Sequence, residues 1–204
     1  MNQTQIYKMS FTTGGLLYHE SVKAAELYVE LQDWPTVRKS IVETNLFQAR
    51  TENTLKRVCS EILSRLKLFP PELIQIIHDG SRQDQNQILW FAVCKRYKFI
   101  HDFAIEVIRE KFLQMDYPFS EQDYDIFFDT KAEWHEELSV LKDSTKKKLR
   151  QVVLKMLREV EIISENMIVP AFISQKTAKA LLKDPFGSYM VLPVSEKDLR
   201  EWAK

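Results

Sequence analysis

Four histidines, His19, His78, His101 and His135, and two cysteines, Cys59 and Cys94, are the side chains that could ligate a transition metal or pair as nucleophile and base. A zinc site needs its ligands in close pairs, such as CxxC or HExxH. No histidine here lies three or four residues from another, and the cysteines form no CxxC. Carboxylates crowd the stretch from Asp116 to Glu137. Two of them would act as general acid and base only beside a nucleophile, a metal or a reacting group, and the sequence offers none. They read as a solvated acidic face. "TTGGLL", Thr12–Leu17, lacks the lysine and the spacing of a P-loop. Gly14 and Gly15 either shape a turn into a helix or present backbone N–H groups to a phosphate at its N-terminus. The chain therefore reads as non-enzymatic, with no metal and no cofactor.

Cations carry a stronger signal. "DSTKKKLRQVVLKMLRE", Asp143–Glu159, holds Lys146, Lys147, Lys148, Arg150, Lys155 and Arg158. On a helical wheel Lys147, Lys148, Lys155 and Arg158 fall within about 100° of one another, opposite Leu149, Val153 and Met156. Gln151 sits among them, and the pattern places no carboxylate there. A solvated face normally mixes signs for i, i+4 support, so a uniform one suits phosphates. The bland alternative, a plain solvated face, stays open. Lys176, Lys179 and Lys183 add charge on a following helix. A second candidate lies at Arg50, Asn53, Thr54 and Arg57, where a helix would begin. Asparagine and arginine can bond adenine and guanine edges in a major groove. The connection before this helix exceeds the three to four residues of a helix-turn-helix, so a plain helical hairpin is the alternative.

Helical elements must position these groups. After "FTTGGLLY", Ser21–Leu31 reads as an amphipathic helix, and Asp33 with Pro35 marks the start of a second, running to about Asn45. Thr51 caps a third, whose stripe is Leu55, Val58, Cys59, Ile62, Leu63 and Leu66. "PPEL" opens a short helix that ends near Gly80, a C-cap. "SRQDQNQILWFAVCKRY" is apolar almost throughout its second half and reads as a central helix. Phe99–Gln114 is amphipathic, with Phe103, Val107 and Ile108. Ser120 caps an acidic helix with Tyr124, Phe127 and Phe128, continued by Trp134, Leu138 and Leu141. Asp143 or Ser144 caps the basic helix. Beyond Ile163, "NMIVPAF" and "SYMVLPV" read as short strands around a helix at Gln175–Lys183, a small C-terminal β wing.

Four glycines and seven prolines among 204 residues leave few breaks, and 45% hydrophobic residues suffice for a core. The expected fold class is all-α. Formal net charge is zero, but its distribution is uneven. Residues 1–68 carry nine Lys/Arg against seven Asp/Glu, 69–142 eight against fourteen, and 143–204 twelve against eight. The segments run +2, −6 and +4, which marks an N-terminal helical unit, an acidic helical core and a basic helical or winged unit, together one compact domain. The longest apolar run, "ILWFAVC" from Ile88 to Cys94, is far short of the roughly 20 residues a bilayer needs. The start, MNQTQIYKMS, has no apolar h-region. No membrane association is expected. The cysteines read as buried free thiols in a cytoplasmic protein.

Five stretches carry a family resemblance: "FTTGGLLYHESVKAAELY", "DWPTVRKSIVETNLFQARTENTLKRVCSEILSRLK", "DGSRQDQNQILWFAVCKRYKFIHDFAIEVIREKFL", "FFDTKAEWHEEL" and "DSTKKKLRQVVLKMLREVEII". In this order, from about residue 8 to 165, the chain resembles the BrxA family of BREX (bacteriophage exclusion) phage-defence systems. The resemblance implies a compact, NusB-like all-helical globule with helix-turn-helix-like units that binds double-stranded DNA. It also implies work beside a DNA methyltransferase, an ATPase and a phosphatase-like protein, and it brings no catalytic residues. The expected function is a non-enzymatic duplex-binding component of such a system, held mainly by phosphate contacts. The rival is a protein–protein adaptor that assembles the other components and meets DNA only incidentally.

Overall fold

Short polar side chains start the helices in the same physical way. The hydroxyls of Thr51, Ser174 and Ser195 accept from the backbone N–H groups of Thr54, Thr177 and Asp198, and the Asp33 carboxylate accepts from Thr36 N–H. Ser120 and Asp123 form a reciprocal capping box. Each satisfies donors that a helix N-terminus leaves open. The structure, a computed structural model, describes residues 6–11, 14–184 and 187–204. Thr12 and Thr13 of the expected loop lie outside the described residues.

Among the described residues the chain is all-α apart from one minimal sheet. Its packing divides it into Leu16–Arg96 and a second unit of Tyr97–Lys204 with the residues up to Gly15. This division differs from that of the charge segments, which follow composition rather than contact.

Leu16–Arg96 holds α1 (Tyr18–Leu31), α2 (Trp34–Glu43), α3 (Glu52–Leu66), α4 (Pro71–Asp79) and α5 (Arg82–Arg96). Every residue of α5 from Asp84 to Cys94 is buried, and α1, α3 and α4 pack against it. Burial on all sides removes the usual amphipathic stripe, so the apolar run is a central helix and not a strand. Its polar N-terminal turn is satisfied locally. Ser81 and Asp84 bond to each other, and Gln85 donates to the Ile77 carbonyl at 2.8 Å while accepting from the Tyr18 hydroxyl. Gly80 follows α4 in extended backbone, not in the left-handed form usual for a C-cap glycine. What demands glycine is space: a Cβ there would fall 2.4 Å from the Ile76 carbonyl oxygen. Cys59 and Cys94 are buried and free, and burial raises both thiol pKa values.

The second unit begins with α6 (Lys98–Phe103), which runs through a π-helical stretch at Ala104–Arg109 into α7 (Glu110–Leu113). There follow α8 (Glu121–Ala132), α9 (Glu136–Ser139), α10 (Asp143–Glu159), β1 (Ile163–Ser164), β2 (Met167–Ile168), α11 (Gln175–Lys183), a 3-10 turn at Ser188–Val191 and α12 (Glu196–Trp202). Aromatic rings fill its core. Phe99 meets Tyr7, Tyr124, Phe127 and Phe128 edge-on, with centroids 5.3–6.0 Å apart, the geometry that ring quadrupoles favour.

Three expectations are corrected here. The acidic helix stops at Ala132, and Trp134 is 79% exposed instead of continuing a buried stripe, although Leu138 is buried. The basic helix is capped one residue earlier, at Lys142. The wing is not two strands around α11. The sheet is a hairpin that precedes α11, turning through Glu165 and Asn166, both at positive φ, as a two-residue hairpin turn requires. "SYMVLPV" coils into the 3-10 turn, and Ala171 N–H donates to the Pro193 carbonyl just beyond it.

Two outcomes follow. The Tyr124 hydroxyl is buried without a hydrogen-bond partner among the described residues, and burial raises its pKa. Tyr124→Phe should therefore leave the melting temperature unchanged or higher, whereas Tyr124→Ala should cost about 3–5 kcal/mol by cavity formation. The second concerns Asp102, which accepts from the Tyr7 hydroxyl at 2.8 Å and from Lys98 at 2.7 Å, with the His101 ring at 3.1 Å. Burial pushes its pKa up, but bonds from His101, Lys98 and Tyr7 outweigh that and hold it at about 2, below the ordinary 3.8. The folded value lies below the unfolded one, so the stabilisation is full above pH ~4 and is lost as pH falls towards 2. Melting curves across that window should show a loss on the order of 2 kcal/mol in the parent and a flatter profile in Asp102→Asn.

Candidate nucleic-acid interface

The buried side of α10 is Leu149, Val152, Val153, Leu154, Met156 and Leu157. Packing that side against α8 and β1 turns the opposite one outward. Lys147, Lys148, Gln151, Lys155 and Arg158 are all exposed, as the wheel places them. Lys147, Lys148 and Arg158 make no ion pair among the described residues.

The face is not free of carboxylates, however. Glu159, four residues after Lys155, approaches its ammonium at 3.5 Å, and Lys155 also reaches the Gly14 carbonyl at 3.5 Å. The same carboxylate accounts for Gly15. That residue has φ +107°, and a Cβ on it would lie 2.9 Å from both Glu159 oxygens. So the glycine turn faces an anionic group of its own chain, where the alternative reading would have put a phosphate.

Two further cations of this helix are spent on packing. Arg150 binds Glu121 Oε2 at 2.9 Å and the Asp125 carboxylate, joining α10 to α8. Lys146 is half-buried, its ammonium 5.3 Å from the centre of the Phe128 ring, a cation–π contact. On α11, Lys176 and Lys179 are exposed and Ala178 and Leu181 are buried.

The other candidate group belongs to Leu16–Arg96. Arg50, Asn53 and Arg57 are exposed at the start of α3. Thr54 is half-buried, and its hydroxyl accepts from the Thr51 hydroxyl at 2.9 Å. α2 and α3 are joined by residues 44–51, an ordered connection in which the Asn45 side chain both accepts from and donates to the Ala49 backbone. Arg38 donates to the Ser60 hydroxyl at 2.9 Å and fixes one helix on the other. α1 packs on both.

One neighbour of the basic face was missed in the sequence. Arg158 borders an open pocket of about 360 Å³ shared with Ile163, Ser164, Glu165 and Asn166 of the hairpin. Asn166 in the second turn position is its only sequence signal, as asparagine tolerates positive φ. Among the described residues, no group of three or more His, Cys, Asp or Glu side chains is placed to hold a metal ion. Nor is any helix long and apolar enough to cross a membrane.

The sequence profile of the BrxA family matches residues 5–184. The chain belongs to the BrxA family. It is 30% identical over 159 residues to a protein of Bacillus cereus (strain H3081.97) named BREX protein BrxA, covering 78% of this chain and 80% of that one. A BREX protein BrxA of Paramagnetospirillum magneticum (strain AMB-1) is also 30% identical, over 160 residues, with the same coverage. One from Escherichia coli O9:H4 (strain HS) is 28% identical over 146 residues, covering 72% and 68%. The crystal structure of an uncharacterized protein from Magnetospirillum magneticum superposes with a TM-score of 0.79 at 25% identity, covering 93% of this chain and 98% of that one. The likeness to these BrxA proteins thus spans most of each chain, and the superposition extends through nearly the whole fold.

Arg150 provides a direct check of how α10 is held. Its partners are partly solvent-exposed, so each pair contributes only about 0.2–1 kcal/mol. Arg150→Gln should lower stability by about 1 kcal/mol in a denaturant titration, with the loss shrinking as salt is raised.

Proposed function

We propose that the chain is a non-enzymatic double-stranded-DNA-binding component of a BREX anti-phage defence system, working with its methyltransferase, ATPase and phosphatase-like protein. The observation that carries this reading is the exposed face of α10, where Lys147, Lys148, Lys155 and Arg158 surround Gln151 with a single carboxylate at its end. Lys147, Lys148 and Arg158, which make no ion pair among the described residues, are available to displace counterions from a phosphate backbone, which supplies affinity with little sequence choice. Arg50, Asn53 and Arg57 present the side-chain types that read base edges, on a helix rigidly paired with the one before it, in the manner of a helix-turn-helix. Lys176 and Lys179 extend the phosphate-contacting set. Arg150 and Lys146 support this surface from beneath.

Binding of this kind falls with salt. For Z neutralised phosphates, log K falls against log salt with a slope of about −0.9Z, from dissociation constants of roughly 1–100 µM. Titration of a labelled duplex at several salt concentrations should give such a slope. Replacing Lys147, Lys148 and Arg158 together by glutamate should abolish binding and leave the melting temperature within the range of surface changes, about ±0.5 kcal/mol each. A salt-independent affinity, or a triple variant that binds as the parent does, would exclude α10 as the contact and favour the adaptor reading.

A further inference from the structure

The exposed side of α8 and the turn after it is neither packed nor basic. Tyr124, Phe127 and Phe128 point into the core, which leaves Ile126 68% exposed on the opposite side. Asp129, Thr130 and Glu133 share that side at three, four and seven residues from Ile126 and are all exposed. Trp134 follows at 79% exposure, and Glu136 opens α9 in the open. Most other carboxylates of this stretch are committed elsewhere. Glu121 and Asp125 bind Arg150, Asp123 caps α8 and approaches Lys111 at 3.5 Å, and Glu137 accepts from Tyr7 N–H at 2.6 Å. Asp129, Glu133 and Glu136 make no ion pair among the described residues.

The indole is displayed from a firm base. The backbone N–H of Trp134 donates to the Lys131 carbonyl at 3.1 Å, and the Lys131 ammonium is itself tied to Glu106 at 2.7 Å. The next residue, His135, is buried, packs on the Tyr7 ring at 4.1 Å and lies 3.0 Å from Glu137. A large aromatic held this way loses little conformational freedom on binding, and tryptophan is over-represented among the side chains that dominate interfaces.

We infer that Ile126, Asp129, Glu133, Trp134 and Glu136 form a docking face for a Lys/Arg-rich segment of another protein, with an apolar recess that takes the Trp134 indole. Charge decides the occupant. Unpaired carboxylates repel a phosphate backbone and attract cations, and an arginine can stack on indole while pairing with a carboxylate beside it. The cationic face of α10 on a second copy would match in sign but not in shape, because its exposed residues, Lys147, Lys148, Gln151, Lys155 and Arg158, are all polar and offer no apolar recess. This face goes beyond the duplex-binding reading and does not depend on it.

The test uses the full chain and the other proteins of the same BREX system, each purified singly. Binding of each to the parent, to Trp134→Ala and to Asp129→Lys/Glu133→Lys is measured at two salt concentrations. Self-association by sedimentation, melting temperature and duplex affinity are followed in parallel. One protein should bind the parent, more weakly at higher salt, and Trp134→Ala should reduce that affinity by roughly 30-fold or more, as loss of a dominant interface side chain does. The charge-reversal variant should reduce it at least about tenfold. Melting temperature and duplex affinity of Trp134→Ala should match the parent's, which separates this result from any failure of DNA binding. The inference is overturned if no partner binds the parent, if the variants bind their partner unchanged, or if the substitutions alter only self-association.

Discussion

The apolar stripe of α10 fixes the rotation of that helix about its own axis, and the rotation decides which of its cations face water. With Leu149, Val153 and Met156 buried, Lys147, Lys148, Lys155 and Arg158 are turned outward. Arg150 falls at the boundary, close enough to α8 to bind Glu121 and Asp125. A shift of one residue in this packing would exchange the roles, placing a bound arginine in solvent and a free lysine against the core. Hydrophobic packing thus sets an electrostatic surface. The cost of burying a lysine unpaired keeps the arrangement from slipping.

The carboxylates show the same division of labour. The acidic middle of the chain could have neutralised the basic helix entirely, and part of it does so through Arg150. Other members cap α8 or hold the N-terminal segment, as Asp123 and Glu137 do. What remains, around Trp134, is a surface of opposite sign to the face of α10. A chain with zero net charge can in this way present one face suited to phosphates and another suited to a basic protein segment. Each face repels ions of its own sign, so charge alone would separate an anionic partner from a cationic one.

Much of the architecture was legible because the signals are local. Thr51, Ser120 and Asp33 cap the helices they precede, and the stripe of α3 is buried except for Val58, which is half-buried. Membership of the BrxA family was legible too, since its residues run in order along most of the chain. The failures have a common cause. Trp134 was read as core because it follows buried aromatics at helical spacing, but the helix ends at Ala132 and the spacing no longer applies. "SYMVLPV" was read as a strand, yet a strand needs a neighbour to pair with, and the stretch instead turns on itself, with Leu192 N–H donating to the Tyr189 carbonyl. Gly80 does cap α4, but in extended backbone, and what excludes a side chain there is the nearby Ile76 carbonyl, which no local signal shows.

By itself the sequence determined the starts of α2, α3 and α8, the stripes of α3 and α10, the all-α class and the side of α10 that faces water, because each follows from residues a few positions apart. Only the tertiary structure decided which charges remain available. Arg150 and Lys146 meet α8 across some twenty residues of chain, and Glu159 meets Gly15 and Lys155 at the end of the basic face. Pairing of charges depends on distances in space, and no periodicity along the chain encodes which carboxylate a given cation will reach.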